Sequence, residues 1–218
     1  MAVSYSGITT YDECPSKFKR KYILKEHGGP EPTRETAPAM FRGTDIHNSI
    51  EDMLNGKTHE LHKEITKFHP FVKGLRTEGA IAEEAFAYTK DWEPVDFDSP
   101  DAEVRGFLDA KLYKPEFARV FEWKTGKEYE SHALQRSLYG LVALLEYEEV
   151  PSVTVETHYL DIDKIVPTIY YRENLITYKW SWDRRINKTK PPQPYPMRPS
   201  WKCKWCPYSR KQGGACPN

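Results

Sequence analysis

Four cysteines constrain the fold of this chain more than any other feature. Cys14 stands alone near the start, whereas Cys203, Cys206 and Cys216 crowd the last 16 residues as CKWC, nine further residues and a third Cys. More than 180 residues without a thiol separate the two groups. Four thiolates divided one and three can close a tetrahedral site for an iron–sulfur cluster or a zinc ion. Such a site ties the two ends of the chain together around everything between them. The alternatives are two disulfides of a secreted protein, or four unrelated thiols. The opening MAVSYSGITTYDECPSKFKRKYI holds no apolar run of the secretory kind, and a CxxC beside a third Cys is poor spacing for chance. A shared site is therefore expected.

Nowhere do 18 apolar residues run together, so no membrane span and a cytoplasmic location are expected. Charge is balanced at 32 basic and 32 acidic residues, which argues against a protein coated in basic charge. Its distribution is uneven. From Lys179 to Lys211 there are ten Lys or Arg and a single acid, Asp183, and Lys17, Lys19, Arg20, Lys21 and Lys25 follow the first cysteine. Acids gather instead between Asp91 and Glu103. Segregated charge can build an anion-binding surface on a neutral protein, although ordinary solvated faces account for it equally well.

The chain divides into readable blocks. Ser6 is placed to cap a helix running toward Tyr22, with a break at Pro15, and HGGPEPTRETAP reads as a loop. A helix over about Ala39–Asn55 follows from the spacing of Phe41, Ile46, Ile50, Met53 and Leu54. EVRGFLDAKLY and ARVFEWKT, joined by KPEF, read as an antiparallel hairpin. Leu134, Leu138, Leu141 and Leu145 mark a helix over about His132–Glu148. Two strands, SVTVETHYLDI and KIVPTIYYR, then precede a basic helix over about Glu173–Asn187 and a proline-rich linker, PPQPYPMRP. That order predicts an α/β protein with a mixed central sheet flanked by helices. Three parts are expected: an N-terminal helical segment (1–30), a core (31–190) and a cysteine tail (191–218).

The hairpin carries Asp109 on one arm and Glu122 and Lys124 on the other. Residues two apart on a strand point to the same side, so Glu122 and Lys124 share a face, flanked by Phe121 and Trp123. A buried ion pair is costly unless something uses it, and two converging carboxylates are hard ligands suited to Mg²⁺ or Mn²⁺. A lysine beside them can hold a water that a metal has acidified. An ordinary ion pair on a solvated face fits the hairpin as well. Upstream, RGTDIH puts Gly43 and His47 four apart on one helical face, the glycine permitting close approach, though a lone helical His is more often structural. Gln135 and Tyr139 stand four apart beside the leucine stripe.

Taken together, these residues resemble the PD-(D/E)XK nuclease superfamily (restriction-endonuclease-like core), in its RecB-like and AddB-like branch. GxxxH lies at Gly43–His47, a GxxD-type motif at Gly106–Asp109, ExK at Glu122–Lys124 followed by Thr125 and Gly126, and QxxxY at Gln135–Tyr139. Tyr11, Cys14, Pro15, Phe18 and Tyr22 are similar to the YxxCPxxFxxxY stretch of members that bear a [4Fe–4S] cluster, among them CRISPR-associated adaptation nucleases. The gap between Cys206 and Cys216 is longer than in those relatives.

The resemblance implies His47, Asp109 and Glu122 as ligands of Mg²⁺ or Mn²⁺ and Lys124 as the catalytic lysine. It makes Gln135 and Tyr139 orienting residues, and Cys14, Cys203, Cys206 and Cys216 the cluster ligands that join the two ends. It puts Glu83 or Glu84 at the start of a preceding strand near the site and leaves open which of them, if either, adds to it. It implies a DNA exonuclease of a bacterial, archaeal or phage-infected cell, acting on single strands or duplex ends in recombination, repair or phage DNA processing. Arg184, Arg185, Lys188, Lys190 and Lys202 would hold the DNA backbone. No GxxxxGK[ST] loop occurs, so a motor, if used, comes from a helicase or recombination partner. The alternative function is a non-catalytic nucleic-acid-binding module whose four cysteines hold Zn²⁺.

Overall fold

A computed structural model of the chain describes residues 1–29, 31–192 and 194–217. Pro30, Gln193 and Asn218, which fall in the expected loop, linker and tail, lie outside the described residues. Helix α1 (Tyr5–Glu13) starts at Ser4, whose hydroxyl accepts the N–H of Gly7 at 3.2 Å, so the cap is two residues earlier than Ser6. Cys14 is extended and breaks the helix, and Pro15 opens the short α2 (Pro15–Phe18) at the position where a missing N–H costs nothing. Next come α3 (Pro38–Leu54), a 3₁₀ turn (Lys63–Phe68) and α4 (His69–Glu78). Strands β1 (Ile81–Tyr88), β2 (Val104–Lys114) and β3 (Phe117–Lys124) precede α5 (Ser131–Glu146). β4 (Ser152–Tyr159), β5 (Lys164–Tyr171) and α6 (Leu175–Lys188) complete the core.

The five strands lie side by side in chain order. All neighbours are antiparallel except β3 and β4, which run parallel because α5 carries the chain back across the sheet. The sheet is therefore mixed and flanked by helices, as the element pattern predicts. α4 was not foreseen, and β1 only as a strand starting near Glu83 and Glu84.

Each face of the sheet buries its own core. On one face, Leu138, Leu141 and Leu144 of α5 pack with Val120, Val153 and Val155, joined by Ile8 of α1 and Phe18 of α2. On the other, Ile46, Ile50 and Met53 of α3 and Val72 and Leu75 of α4 cover Phe121 and Trp123. Each such apolar side chain contributes roughly 1.5–3 kcal/mol on burial. Among the described residues, no helix is long and apolar enough to cross a membrane.

The proline-rich run is not a free linker. Tyr195 lies against Tyr11 and Phe18, Ser16 donates its N–H to the Pro196 carbonyl at 3.2 Å, and Arg198 donates to the Asp12 carbonyl at 2.6 Å. This strap lays the tail along α1 and α2.

Candidate active site

The site begins with a local failure of strand regularity. In β1, Ala82 packs toward α3 and α4, yet Glu84, two residues on, reaches Lys111 on the α5 side. In β2, Leu108 joins the α5-side core while Ala110 joins the opposite one. Residues two apart should share a face. Both strands thus change face between these residues, at Glu83 and Asp109. Glu83 takes a left-handed φ of 49°, uncommon for a residue with a Cβ, and backbone strain of this kind costs of order 1–3 kcal/mol. The β2–β3 ladder stops at Ala110–Phe121, and the Oδ2 of Asp109 accepts the N–H of Trp123 at 2.8 Å. β2 thereby parts from β3, with a carboxylate in the gap.

Into this gap α3 brings His47, whose Nδ1 stands 3.5 Å from the same Oδ2. One ligand atom each from His47, Glu83 and Asp109 lies within 4.8 Å of the others. The approach of α3 depends on Gly43, where an added Cβ would meet the Thr125 hydroxyl at 3.2 Å. Gly106 plays the same part within the sheet, since a Cβ there would come 2.8 Å from the Phe86 ring.

β3 supplies the rest from the α5 side. Glu122 is buried at 2% exposure; its Oε1 receives the Lys124 ammonium and the Gln135 Nε2, the latter at 2.9 Å. Gln135 also donates to the Tyr139 hydroxyl at 2.8 Å. The Tyr139 hydroxyl is a further hydrogen-bond partner of the carboxylate. A buried carboxylate is costly unless balanced, and Lys124 brings one positive charge to a site that also holds Asp109 and Glu83.

The electrostatics agree. Burial pushes the Asp109 carboxyl well above the carboxylate range, and the Glu122 charge adds to that. Burial also raises Glu83, with Glu51 and Glu122 adding to it. Burial depresses His47, keeping the imidazole in the neutral form that ligates metal. Burial would lower Lys124, yet the Glu122 and Asp109 carboxylates outweigh it and raise its pKa, so the ammonium is charged at neutral pH. Burial lifts the Tyr139 hydroxyl far above its ordinary value, which leaves it neutral. The pocket is thus short of positive charge, as an oxygen-lined cation site is before it fills.

Of the expected ligands, His47 and Asp109 come together, and Glu122 adjoins them outside the 4.8 Å group. Of Glu83 and Glu84, Glu83 lies in the group with His47 and Asp109, whereas Glu84 pairs with Lys111 at 2.5 Å. Sequence reasoning missed the salt bridge that braces the site, in which Arg42 holds Asp161 at 2.7 Å and Asp161 accepts the Gly126 N–H at 2.7 Å. This fixes the turn after Lys124, and no motif announces it.

The four cysteines, all free, line a single cavity between α2 and the tail, together with Lys17, Arg20 and Arg198. No three of their sulfurs lie within 4.8 Å of one another. Of the basic residues expected to hold DNA, Arg184, Arg185 and Lys188 share α6. Arg185 stands 3.7 Å from Asp12, Lys190 pairs with Glu103, and Lys202 stands 3.5 Å from Glu13. Arg184 and Lys188 line a shallow surface pocket with Trp180.

A family model of the PD-(D/E)XK nuclease superfamily matches residues 2–211 of the chain. Among solved structures, the fold is similar to that of a protein named SSO0001, at 16% identity and a TM-score of 0.49, covering 99% of this chain and 86% of that one. It is also similar to a protein of Eubacterium rectale named "Putative exonuclease", at 9% identity and a TM-score of 0.46, covering 94% and 86%. No curated protein matches.

Proposed function

The chain belongs to the PD-(D/E)XK nuclease superfamily, and from that premise we propose that it is a Mg²⁺- or Mn²⁺-dependent DNA exonuclease of the RecB-like and AddB-like branch. Its substrate is single-stranded DNA or a duplex end, in recombination, repair or phage DNA processing. The observation that carries this reading is the convergence of His47, Glu83 and Asp109 near the buried carboxylate of Glu122. These donors fit a hard divalent cation. When bound, such an ion polarises the scissile phosphate and lowers the pKa of a water.

The chain's own residues do the remaining work. Lys124, charged and tethered to Glu122, stabilises negative charge on the phosphate and orients the attacking water. Gln135 holds Glu122 from the α5 side and is itself anchored on the Tyr139 hydroxyl, so the carboxylate and the lysine keep one geometry. The Trp123 N–H fixes Asp109 in the parted strands.

The cysteines fit a [4Fe–4S] cluster. They surround one cavity, and basic side chains at its wall offset the charge of four thiolates. A zinc ion, with Zn–S bonds of about 2.3 Å, is the alternative occupant of the same four thiolates. In either case the group has a structural role. Arg184, Arg185, Lys188, Lys190 and Lys202 contribute to holding the backbone of the strand.

The test is digestion of end-labelled linear and circular DNA, single- and double-stranded, with Mg²⁺, Mn²⁺ or EDTA. Metal-dependent loss of linear substrate that spares circles, and is absent in Glu122→Ala, supports the reading. Cleavage of circles overturns the exonuclease, and no metal-dependent cleavage overturns the activity.

A further inference from the structure

The tail carries two tryptophans that the proposed catalysis leaves unused. Trp201 and Trp205 are 70% and 59% exposed, in a chain whose other large aromatics mostly pack into the core. They close the two ends of a single 3₁₀ turn (Trp201–Trp205) and meet edge to face, with ring centroids 5.3 Å apart and planes at 86°. Exposing so much of two indoles runs against the hydrophobic effect unless something covers them.

The turn itself is held firmly. The Ser200 hydroxyl accepts the Lys202 N–H at 3.3 Å, and the Ser200 N–H donates to the Cys203 sulfur at 3.3 Å. Gln212 donates to the Lys204 carbonyl at 2.8 Å. Cys203 lines the thiol cavity within, while the two rings stand in solvent.

The charge around the rings is of one sign. Residues 198–211 include Arg198, Lys202, Lys204, Arg210 and Lys211 and no acid. The Lys204 ammonium lies 3.9 Å from the centroid of the Trp205 ring. Among the described residues Lys204, Arg210 and Lys211 make no ion pair, whereas Lys202 is turned toward Glu13. Exposed indoles among cations that no carboxylate neutralises match a stacked base and its phosphate, a base displacing the Lys204 ammonium from the Trp205 face onto that phosphate. An acidic protein surface would match the cations but leave two exposed indoles without a flat partner.

We propose that Trp201 and Trp205 form a stacking platform for single-stranded nucleic acid, with Lys204 on the adjoining phosphate. The platform rests on the nuclease reading only for the identity of its ligand, and binding without cleavage separates the two.

The experiment measures anisotropy of fluorescein-labelled (dT)20, and of a blunt duplex lacking a single-stranded end, with full-length protein in EDTA. Trp201→Ala/Trp205→Ala should melt at the parental temperature and bind (dT)20 at least about 10-fold more weakly, while duplex binding changes less than twofold. Trp201→Phe/Trp205→Phe should recover most of the loss, since phenylalanine also stacks. Should the alanine pair fail to fold, Lys204→Ala decides, with an expected fall of about one in the slope of log affinity against log salt. Parental (dT)20 affinity in the folded alanine pair, or in its absence an unchanged slope in Lys204→Ala, overturns the proposal. An equal loss on duplex and single strand also overturns it. Because EDTA removes catalysis, a protein that stacks (dT)20 but never cuts DNA would keep the platform and refute the nuclease reading.

Discussion

Glu83 and Asp109 stand across from each other in β1 and β2, between the pairs Ala82–Ala110 and Glu84–Leu108, where both strands change face. This shared irregularity delivers both carboxylates to His47, and it separates Glu83 from its neighbour Glu84 in role. Glu83→Ala should lower metal affinity at least about 10-fold, read by calorimetric Mn²⁺ titration, with a matching loss of hydrolysis. Glu84→Ala should leave cleavage within a few-fold of the parent. It should cost roughly 1–3 kcal/mol of stability, because buried Lys111 then keeps only Glu146 and the Tyr147 ring. Equal loss of Mn²⁺ affinity in both variants would reject this division.

Asp109 gives a prediction on pH with a definite sign. Its carboxyl binds a proton more tightly in the fold than in the unfolded chain, because burial and Glu122 raise it. Stability of the metal-free protein should therefore fall as pH rises from the ordinary carboxylate value toward the raised one, with Glu83 acting in the same direction. Mn²⁺ should restore it at neutral pH. Asp109→Asn keeps an acceptor for the Trp123 N–H and removes the charge. In EDTA at neutral pH it should melt above the parent, by about 2–4 °C for each kcal/mol relieved, while abolishing hydrolysis. Melting curves across pH decide; an Asp109→Asn protein that melts lower in EDTA refutes the account.

Lys124 and Gln135 divide chemistry from orientation. Lys124→Met should abolish hydrolysis and leave Mn²⁺ binding intact, because the lysine holds Glu122 and no metal. Gln135→Ala should lower kcat by roughly 10-fold or more through a loosened Glu122, and Tyr139→Phe should act in the same direction, since it removes the acceptor behind Gln135 and the hydroxyl's own bond to Glu122. Parental cleavage by Lys124→Met would dismiss the assignment of the site.

What the sequence disclosed, and what it hid, follows from periodicity. β3 alternates without interruption, so Glu122 and Lys124 on one face were legible, and the leucine spacing of α5 brought Gln135 and Tyr139 to the right edge. β1 was barely legible. A strand that changes face at Glu83 matches neither half of a period-two pattern, and the adjacent Glu84 offers an identical side chain for the role. α4 was missed because its core face is only Val72 and Leu75, too short a stripe to stand out. Arg42 and Asp161 lie 119 residues apart, and only the folded chain brings them together. The four cysteines, expected to share one metal or cluster, line one cavity, but what that cavity holds is not encoded in their spacing along the chain.

The cysteines carry the last prediction. A group bound by Cys14 and by the tail closes a loop of nearly 190 residues, and loop entropy makes such a closure worth about 4–5 kcal/mol as an upper figure. The strap of Tyr195, Pro196 and Arg198 along α1 and α2 already holds the tail in part, so the observed gain should fall below that ceiling. Cys14→Ser should lose iron and the broad absorbance near 400 nm expected of a cluster, melt several degrees lower, and lose activity in step with unfolding. Glu122→Ala should lose activity alone, keeping iron content, colour and a melting temperature no lower than about that of the parent. None of the thiols touches the Glu122–Lys124 pair, so partially folded Cys14→Ser should still cut DNA in proportion to its folded fraction below its melting temperature. A Cys14→Ser protein with full iron and the parental melting temperature would defeat the idea that the cysteines staple the two ends. Stoichiometric zinc in a colourless parent would replace the cluster with the smaller ion.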